Sequence, residues 1–387
     1  MKNNKVSNYI AILMLFFFAN AGTFINPAVQ ACIEAWPEVP VSSIRMLTTL
    51  PGIFTVLSML FLGSLVEKKI SYKAGVLMGC GLILAGGFIP FLLAPSWTFV
   101  LMMRAVIGIG AGCLGIRNAL LLKTVPEDKK TAFTGYGSVL FSLAFILMAP
   151  LAGGLAGISW KHTFLLNLLI IPIGLWNLLF LKEPEYGEAQ ETSGESGNEK
   201  LSPKIWVHFA VMFISSVSIY AFHVGISSFF ADKGLGSAAA SGLSISAYFI
   251  GGLLMNVVLG KLQELLKKAI LPAALLAVAA GQAVILFFPS VISSYAGGFI
   301  SGCGYMTMFS ILQVYNGIVQ PSRKLAVTST LILAGSQLGV FISPYFMSIS
   351  HGLFHFSTDV ESAFFGCIVC HIIAAVMAVV FRAAPDK

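Results

Sequence analysis

KEPEYGEAQETSGESGNEKLSPK, residues 182–204, is the stretch on which the reading of this chain turns. Glu183, Glu185, Glu188, Glu191, Glu195 and Glu199 stand in it among glycines and serines, and it holds no apolar run. A segment of that composition buries too little apolar surface to offset the entropy of ordering it, so it reads as a flexible linker. Outside it the character inverts. Six apolar runs precede it, at 8–31, 43–66, 74–93, 98–122, 131–155 and 161–181, and six follow, at 205–231, 238–260, 269–288, 291–319, 325–349 and 360–382. Crossing a bilayer core takes about 20 apolar residues at about 1.5 Å each. Lipid offers backbone N–H and C=O groups no partner, so each run is expected to be a helix. The run at 291–319 is long enough to tilt or to include a loop.

Composition agrees. The 387 residues are 57% hydrophobic and 10% charged, where soluble domains carry about 25% charged residues. A surface that apolar needs lipid as part of its solvent. The net charge of +7 is spread in short clusters between the runs, which argues against a nucleic-acid partner. The six cysteines lie in or beside apolar runs and make no disulfide framework.

The basic residues also set orientation. With the N-terminus placed in the cytoplasm, eighteen of the 23 Lys and Arg fall in the even-numbered loops and the termini. Three, Arg45, Lys161 and Lys233, fall in the odd-numbered loops, and Arg104 and Arg117 stay inside the fourth run. Lys and Arg gather on the cytoplasmic side of membrane proteins, so both termini and the linker are expected there, in a multi-pass protein of a plasma or inner membrane. Lys2, Lys5, the following apolar stretch and Ala19-Asn20-Ala21 resemble a cleavable signal. Apolar character continues through Ala31, however, and the run is read as a retained span.

The two sets of six carry matching ends. Gly63, Leu65 and Glu67 recur 197 residues later as Gly260, Leu262 and Glu264. Lys129, Ala132, Thr134 and Pro150 find counterparts 194 residues later in Arg323, Ala326, Thr328 and Pro344. A pair of internal repeats is a common plan of secondary transporters. The expected architecture is therefore an all-α integral membrane chain of twelve helices, with one six-helix bundle over 1–181, a linker over 182–204 and a second bundle over 205–387.

This pattern resembles the major facilitator superfamily along the whole chain. The loop after the second run resembles the family's Gly-x-x-x-Asp-Arg-x-Gly-Arg-Arg signature, with Gly63, Glu67 in place of the acid and Lys68 in place of the first base; Ile70 and Ser71 depart from it. Arg104, Gly108, Gly110 and Gly112 resemble the family's Arg-x-x-x-Gly-x-Gly pattern. Pro150, Gly153 and Gly154 resemble the fifth-helix motif of its antiporters, although Phe145 and Ala149 replace two expected glycines. Asn26-Pro27 in the first run is also in keeping with the family. The resemblance, closest to the twelve-helix drug/proton antiporter branch, implies two bundles related by pseudo-twofold symmetry, alternating access and a cavity between the halves. Glu67 with Lys68 and Lys69, and Glu264 with Lys267, would then stabilise the cytoplasmic side in one state.

Individual polar residues within the runs are the candidate solute contacts. A charge mid-membrane costs at least ~2.5–3.5 kcal/mol on insertion scales, so Arg104 needs a polar partner or a wet cavity. It reads either as a solute or proton-relay contact or as a hub bonding helix 4 to its neighbours. Gly108, Gly112 and Gly115 form a stripe suited to close helix contact. Arg117 lies about 20 Å further along the helix; it can approach Glu67 or extend to the headgroups. Thr23, Asn26 and Gln30 fall within about 60° of one another on a helical wheel, with Asn20 flanking, and such a stripe should face a cavity or another helix, the cavity being the favoured reading. Gln313 and Gln337, with Asn256 and Asn316, are weaker candidates, since such a residue standing alone more often bonds helices together. His223 can titrate near neutral pH and is a candidate for coupling to protons; the alternative is a hydrogen-bonded histidine in a packed helix. All sixteen acids lie in loops, at helix ends or in the tails. Cation exporters use a buried carboxylate, so an anionic or neutral solute fits this charge balance better.

No catalytic constellation is visible, and the chain is expected not to be an enzyme. Cys367-Ile368-Val369-Cys370-His371 fits the string for covalent haem attachment, but it lies in an apolar span where a haem would meet lipid. No metal, cofactor or ATP-binding loop is expected. The expected activity is secondary active transport of a small solute by a monomer in the bilayer, coupled to protons in efflux or exchange. Uptake of an organic anion or neutral metabolite is the alternative within that class, and a membrane sensor without flux is the alternative outside it.

Overall fold

A computed structural model describes residues 2–19, 21–66, 69–184, 201–319 and 325–385. Helix occupies each of the twelve apolar runs. The chain runs through α1 (Lys2–Phe17), α2 (Val29–Ala35), α3 (Val41–Leu65), α4 (Tyr72–Leu92), α5 (Trp97–Cys113), α6 (Arg117–Thr124), α7 (Lys130–Ala156) and α8 (Ile170–Phe180). It continues through α9 (Pro203–Asp232), α10 (Ala238–Leu266), α11 (Ile270–Phe287), α12 (Val291–Val319), α13 (Leu325–Phe354) and α14 (Asp359–Val380). Three runs are built of two pieces: α1 with α2, α5 with α6, and the 3-10 segment Trp160–Leu169 with α8. Ten stretches are long and apolar enough to cross a membrane among the described residues, one of them, Ala238–Phe287, containing both α10 and α11. The 29-residue α12 has the length to cross, but glycines, serines and tyrosines dilute its apolar character.

Burial is inverted relative to a protein that folds in water. Val257 is 79% exposed, Leu265 77% and Phe61 69%, while Arg45, Arg104, His208, Asn177 and Gln282 are at most 2% exposed. Large apolar side chains face outward because their solvent there is hydrocarbon, and polar ones turn in to find partners. Helix starts in the short loops are closed locally. Ser71 accepts from the Ala74 N–H, Ser96 from that of Phe99, and Thr358 and Glu361 form a capping box on α14.

The chain divides into two compact units, Met1–Gly187 with Ser237–Gly242, and Glu188–Gly236 with Leu243–Lys387. In the first, the glycine stripe of α5 and of the 3-10 turn Leu114–Ile116 after it packs on α3. A Cβ on Gly112 would meet the Thr55 carbonyl oxygen at 2.5 Å, one on Gly115 the Met59 Cγ at 2.7 Å, and one on Gly108 would strike the Pro51 carbonyl. The approach lets the Thr55 hydroxyl donate to the Gly108 carbonyl at 3.0 Å and the Ser58 hydroxyl to that of Ile109 at 2.9 Å. In the second unit, Gly281 on α11 and Gly297 on α12 allow the same closeness, and beside them Gln282 Nε2 donates to Ser301 Oγ at 3.0 Å.

The linker differs from expectation at both ends. The Glu183 carboxylate accepts the N–H groups of Tyr72 at 3.1 Å and Lys73 at 2.7 Å, an anion held at the N-terminus of α4. The Lys182 N–H donates to Asn8 Oδ1 at 3.0 Å. At the far end Pro203 and Lys204 are already helical, because proline suits the first helical turn. Residues 185–200 lie outside the described residues.

Candidate functional site

The polar interior of the first unit is built around a break in its first span. After α1 the chain makes 3-10 turns at Ala21–Thr23 and Asn26–Ala28 before α2 begins. Pro27 lacks an N–H to donate, and Gly22 lies so close to α3 that a Cβ would meet the Pro51 Cβ at 2.6 Å. An interrupted helix frees backbone carbonyls. Arg104, 1% exposed, takes one of them, donating Nη2–H to the Gly22 carbonyl in a very short contact, and donates Nε–H to the Leu47 carbonyl of α3 at 2.7 Å. Its guanidinium carbon lies 5.9 Å from the Phe164 ring centre. Arg104 thus ties α5 to α3 and to the broken first span.

The break also corrects the expected polar stripe, because the wheel that aligned Thr23, Asn26 and Gln30 assumes a continuous helix. Asn26 is 3% exposed with its Oδ1 unpartnered among the described residues. Thr23 is half-buried, and Gln30 Nε2 donates to Glu34 Oε1 at 2.9 Å. Asn20 lies outside the described residues. Arg45 was counted with an outer loop, yet it sits in the second turn of α3 and is 2% exposed, with Thr48 and Thr49 also buried. Its place inside the run 43–66 was the signal that could have found it.

Toward the other end, Arg117 opens α6. Its Nη1 donates to the Leu114 carbonyl at 3.1 Å, and its guanidinium carbon stands 5.0 Å from the Phe16 ring centre. The proposed Glu67 partner and Lys68 lie outside the described residues, as does the side-chain environment of Gly63 at the end of α3. Pro150 is inside α7. A Cβ on Gly153 would strike the Ala238 carbonyl, whereas one on Gly154 meets nothing within 4 Å. The two glycines of the motif therefore do different jobs.

In the second unit, α9 carries a run of small polar residues that sequence reasoning passed over. Ser215, Ser216 and Ser218 are all 0% exposed. Ser216 Oγ shares a hydrogen bond with Tyr305 Oη of α12 at 2.8 Å and donates to Ser336 Oγ of α13 at 3.0 Å. Two helical turns along α9, His223 is 6% exposed amid aromatic rings, with Tyr248 edge-on at 4.6 Å, Phe222 at 5.3 Å and Phe249 at 5.8 Å. Tyr248 stands 6.3 Å from Tyr305, so the histidine and the hydroxyl cluster form one continuous group. Five serines in the fourteen residues 215–228 of α9 were the available signal, but single serines are common in membrane helices. Gln313 and Gln337 are half-buried, and Glu264 is exposed near the end of α10. Asn256 accepts from Ser310 at 3.0 Å and Asn316 donates to Ser329 at 2.9 Å, each joining helices. His371 of the haem-like string bonds within the bundle, its Nδ1 lying 2.9 Å from the Cys367 carbonyl and 3.3 Å from Ser218 Oγ.

The one buried carboxylate among the described residues is Glu361, 7% exposed, in the first turn of α14 and 2.5 Å from Lys233 Nζ. Deeper in the spans the polar groups are arginine, histidine, amides and hydroxyls.

Comparison with known proteins places this architecture. Stretches of the chain resemble the MFS-type transporter VdtG of Byssochlamys spectabilis, 33% identical over 97 residues, which make up 24% of this chain and 17% of that protein. They also resemble the MFS-type transporter phomT of Diaporthe leptostromiformis, 28% identical over 129 residues, 33% of this chain and 22% of that protein. A third relative is the efflux pump bfoC of Aspergillus brasiliensis, 35% identical over 86 residues, 21% of this chain and 15% of that protein. The matched stretches thus span under a quarter of these curated relatives. Among solved structures, a bacterial homolog of the human lysosomal transporter Spinster superposes with a TM-score of 0.77 at 17% identity, covering 99% of this chain and 96% of that one. A D-xylose-proton symporter superposes with a TM-score of 0.75 at 12% identity, covering 99% and 98%. At those identities the likeness establishes the fold. The family model of the Major Facilitator Superfamily matches residues 10–236, more than half of the chain, and the chain belongs to that family.

Proposed function

We propose that this chain is a secondary active transporter that moves a small neutral or anionic solute across a cell membrane by alternating access, in efflux or exchange coupled to protons. The observation that carries this reading is the buried polar inventory. Arg45 and Arg104 place buried positive charge in one unit, the Ser216–Tyr305–Ser336 group and His223 place neutral polar groups in the other, and the sole buried carboxylate among the described residues is spent on a helix cap and Lys233. A desolvated cation needs an anionic partner, whereas an anion or a polar neutral molecule is served by donors. The names of the relatives, which include an efflux pump, support export. The distribution of Lys and Arg supports cytoplasmic termini.

The test is flux in liposomes containing the purified chain under an imposed pH gradient, with solutes first selected by thermal-shift screening. Accumulation of a neutral or anionic solute that collapses with the gradient is the expected result. A profile dominated by lipophilic cations would overturn the assignment of solute class. Tight binding without flux would favour a membrane sensor.

A further inference from the structure

Three of the five tryptophans meet at one end of the first unit. Trp36 follows α2, Trp97 opens α5 and Trp160 opens the 3-10 segment before α8. Trp36 stands edge-on to both of the others, its ring centre 5.9 Å from that of Trp97 and 6.1 Å from that of Trp160. Trp97 is 9% exposed and Trp160 7%. The Nε1 atoms of Trp36 and Trp97 are sealed from solvent and have no hydrogen-bond partner among the described residues. His162, two residues after Trp160, is in the same condition at Nδ1, and its ring lies edge-on 5.6 Å from Phe91, which packs on the same cluster. Phe91 is in the last turn of α4, so the group sits at the end of the unit opposite the Glu183 cap.

Tryptophans that merely anchor a helix at the membrane surface turn their N–H toward headgroups and water. Here two indole N–H groups point inward instead. An indole nitrogen can only donate, whereas a neutral imidazole presents Nδ1 as donor or acceptor. Buried polar groups are nearly always paired, so two sealed donors on touching rings call for an acceptor from outside the chain.

Charge narrows what that acceptor is. The rim carries both signs: Lys161 Nζ lies 5.8 Å from the Trp160 ring centre, and Glu34 and Glu38 are exposed beside Trp36. From Trp160 the rings continue to Phe164 at 6.1 Å and then to the Arg104 guanidinium, whose N–H groups already serve the Leu47 and Gly22 carbonyls. The buried carboxylate Glu361 belongs to the other unit. A desolvated ion of either sign would lack a counter-charge in the cluster, and burying one without it is costly.

We infer that this cluster is a binding subsite for an uncharged molecule bearing a carbonyl or hydroxyl oxygen, which accepts hydrogen bonds from Trp36 and Trp97. Calling that molecule the transported solute rests on the transporter reading; the binding itself does not.

The test labels the indole nitrogens of the full chain with nitrogen-15 and follows the five N–H signals in detergent micelles, each assigned by its Trp→Phe variant. The probes are N-methylacetamide, acetate and tetramethylammonium at matched concentrations. N-methylacetamide should shift the Trp36 and Trp97 signals saturably and leave those of Trp176 and Trp206 in place. Trp36→Phe keeps a ring in the cluster but removes one donor. It should weaken the response at Trp97 about 2- to 12-fold, the worth of one hydrogen bond. Trp97→Phe should do the same to the response at Trp36. Unmoved signals would assign the two N–H groups to neighbouring ring faces or to a fixed water, and would overturn the subsite. Equal or larger shifts with acetate or tetramethylammonium would overturn the ligand class, and parallel shifts of all five signals would mean partition into the micelle only. No readout uses flux, so the subsite can fail while the transporter reading stands.

Discussion

Arg104 of α5 donates its Nε hydrogen to the backbone carbonyl of Leu47 on α3 at 2.7 Å, and the same guanidinium reaches the Gly22 carbonyl in the broken first span. The charge is thus solvated by carbonyl dipoles, which lipid cannot supply. A helix normally consumes its own carbonyls, so the arrangement depends on the interruption beside Gly22. The break and the arginine explain each other.

Replacing Arg104 with alanine leaves both carbonyls without this donor in a buried site. Each unsatisfied group costs about 1–3 kcal/mol, so Arg104→Ala should destabilise by about 2–6 kcal/mol. Arg104→Lys, which keeps the charge but not the planar fork, should recover part of it. Thermal unfolding in detergent measures this. An unshifted midpoint combined with lost transport would instead make Arg104 a solute contact.

Adjacent glycines on α7 should respond in opposite ways. A methyl group on Gly153 collides with the Ala238 carbonyl, while one on Gly154 meets open space. Gly153→Ala is expected to cost about 1–3 kcal/mol through overpacking. Gly154→Ala should be neutral or stabilise slightly through helix propensity. A pair of melting curves separates them, and equal effects would contradict this packing.

Tyr305→Phe removes the hydroxyl that meets Ser216 at 2.8 Å and keeps the ring beside Tyr248. As a purely internal bond its loss should cost about 0.5–1.5 kcal/mol. If the hydroxyl group belongs to the solute site, KM for flux should rise about fivefold or more while the saturated rate changes little. His223→Ala should abolish flux driven by a pH gradient; unchanged flux at every pH would leave His223 a packing residue of the aromatic group.

Glu361 serves two contacts that substitution can separate. Glutamine at that position can still close the capping box with Thr358 but cannot pair electrostatically with Lys233. Glu361→Gln is expected to cost about 1 kcal/mol or less, the range of a partly exposed pair. Glu361→Ala should cost about 1 kcal/mol more through the lost cap. Differential scanning fluorimetry of both variants checks the order.

The helices were legible because each apolar run has to satisfy its backbone within itself, a constraint that acts residue by residue along the chain. Local rules went astray wherever a neighbour intervened. The wheel through Thr23, Asn26 and Gln30 failed because Pro27 and the contact of Gly22 with Pro51 replace continuous helix by 3-10 turns. Glu183 was read as part of a mobile linker, although it caps α4 across more than a hundred residues. The Ser216–Tyr305–Ser336 group was missed because its members come from three helices, and no single one of them is unusual for its position.

The sequence by itself determined that this protein lives in a bilayer and where its helices run. Both follow from the cost of moving side chains and peptide groups from water to hydrocarbon, a cost paid segment by segment. Only the tertiary structure decided which polar groups meet: Arg104 with the Leu47 and Gly22 carbonyls, Ser216 with Tyr305 and Ser336, Glu183 with the first turn of α4. Those meetings depend on how closely glycine-bearing faces let helices approach, and side-chain packing between distant segments has no signature in either one alone.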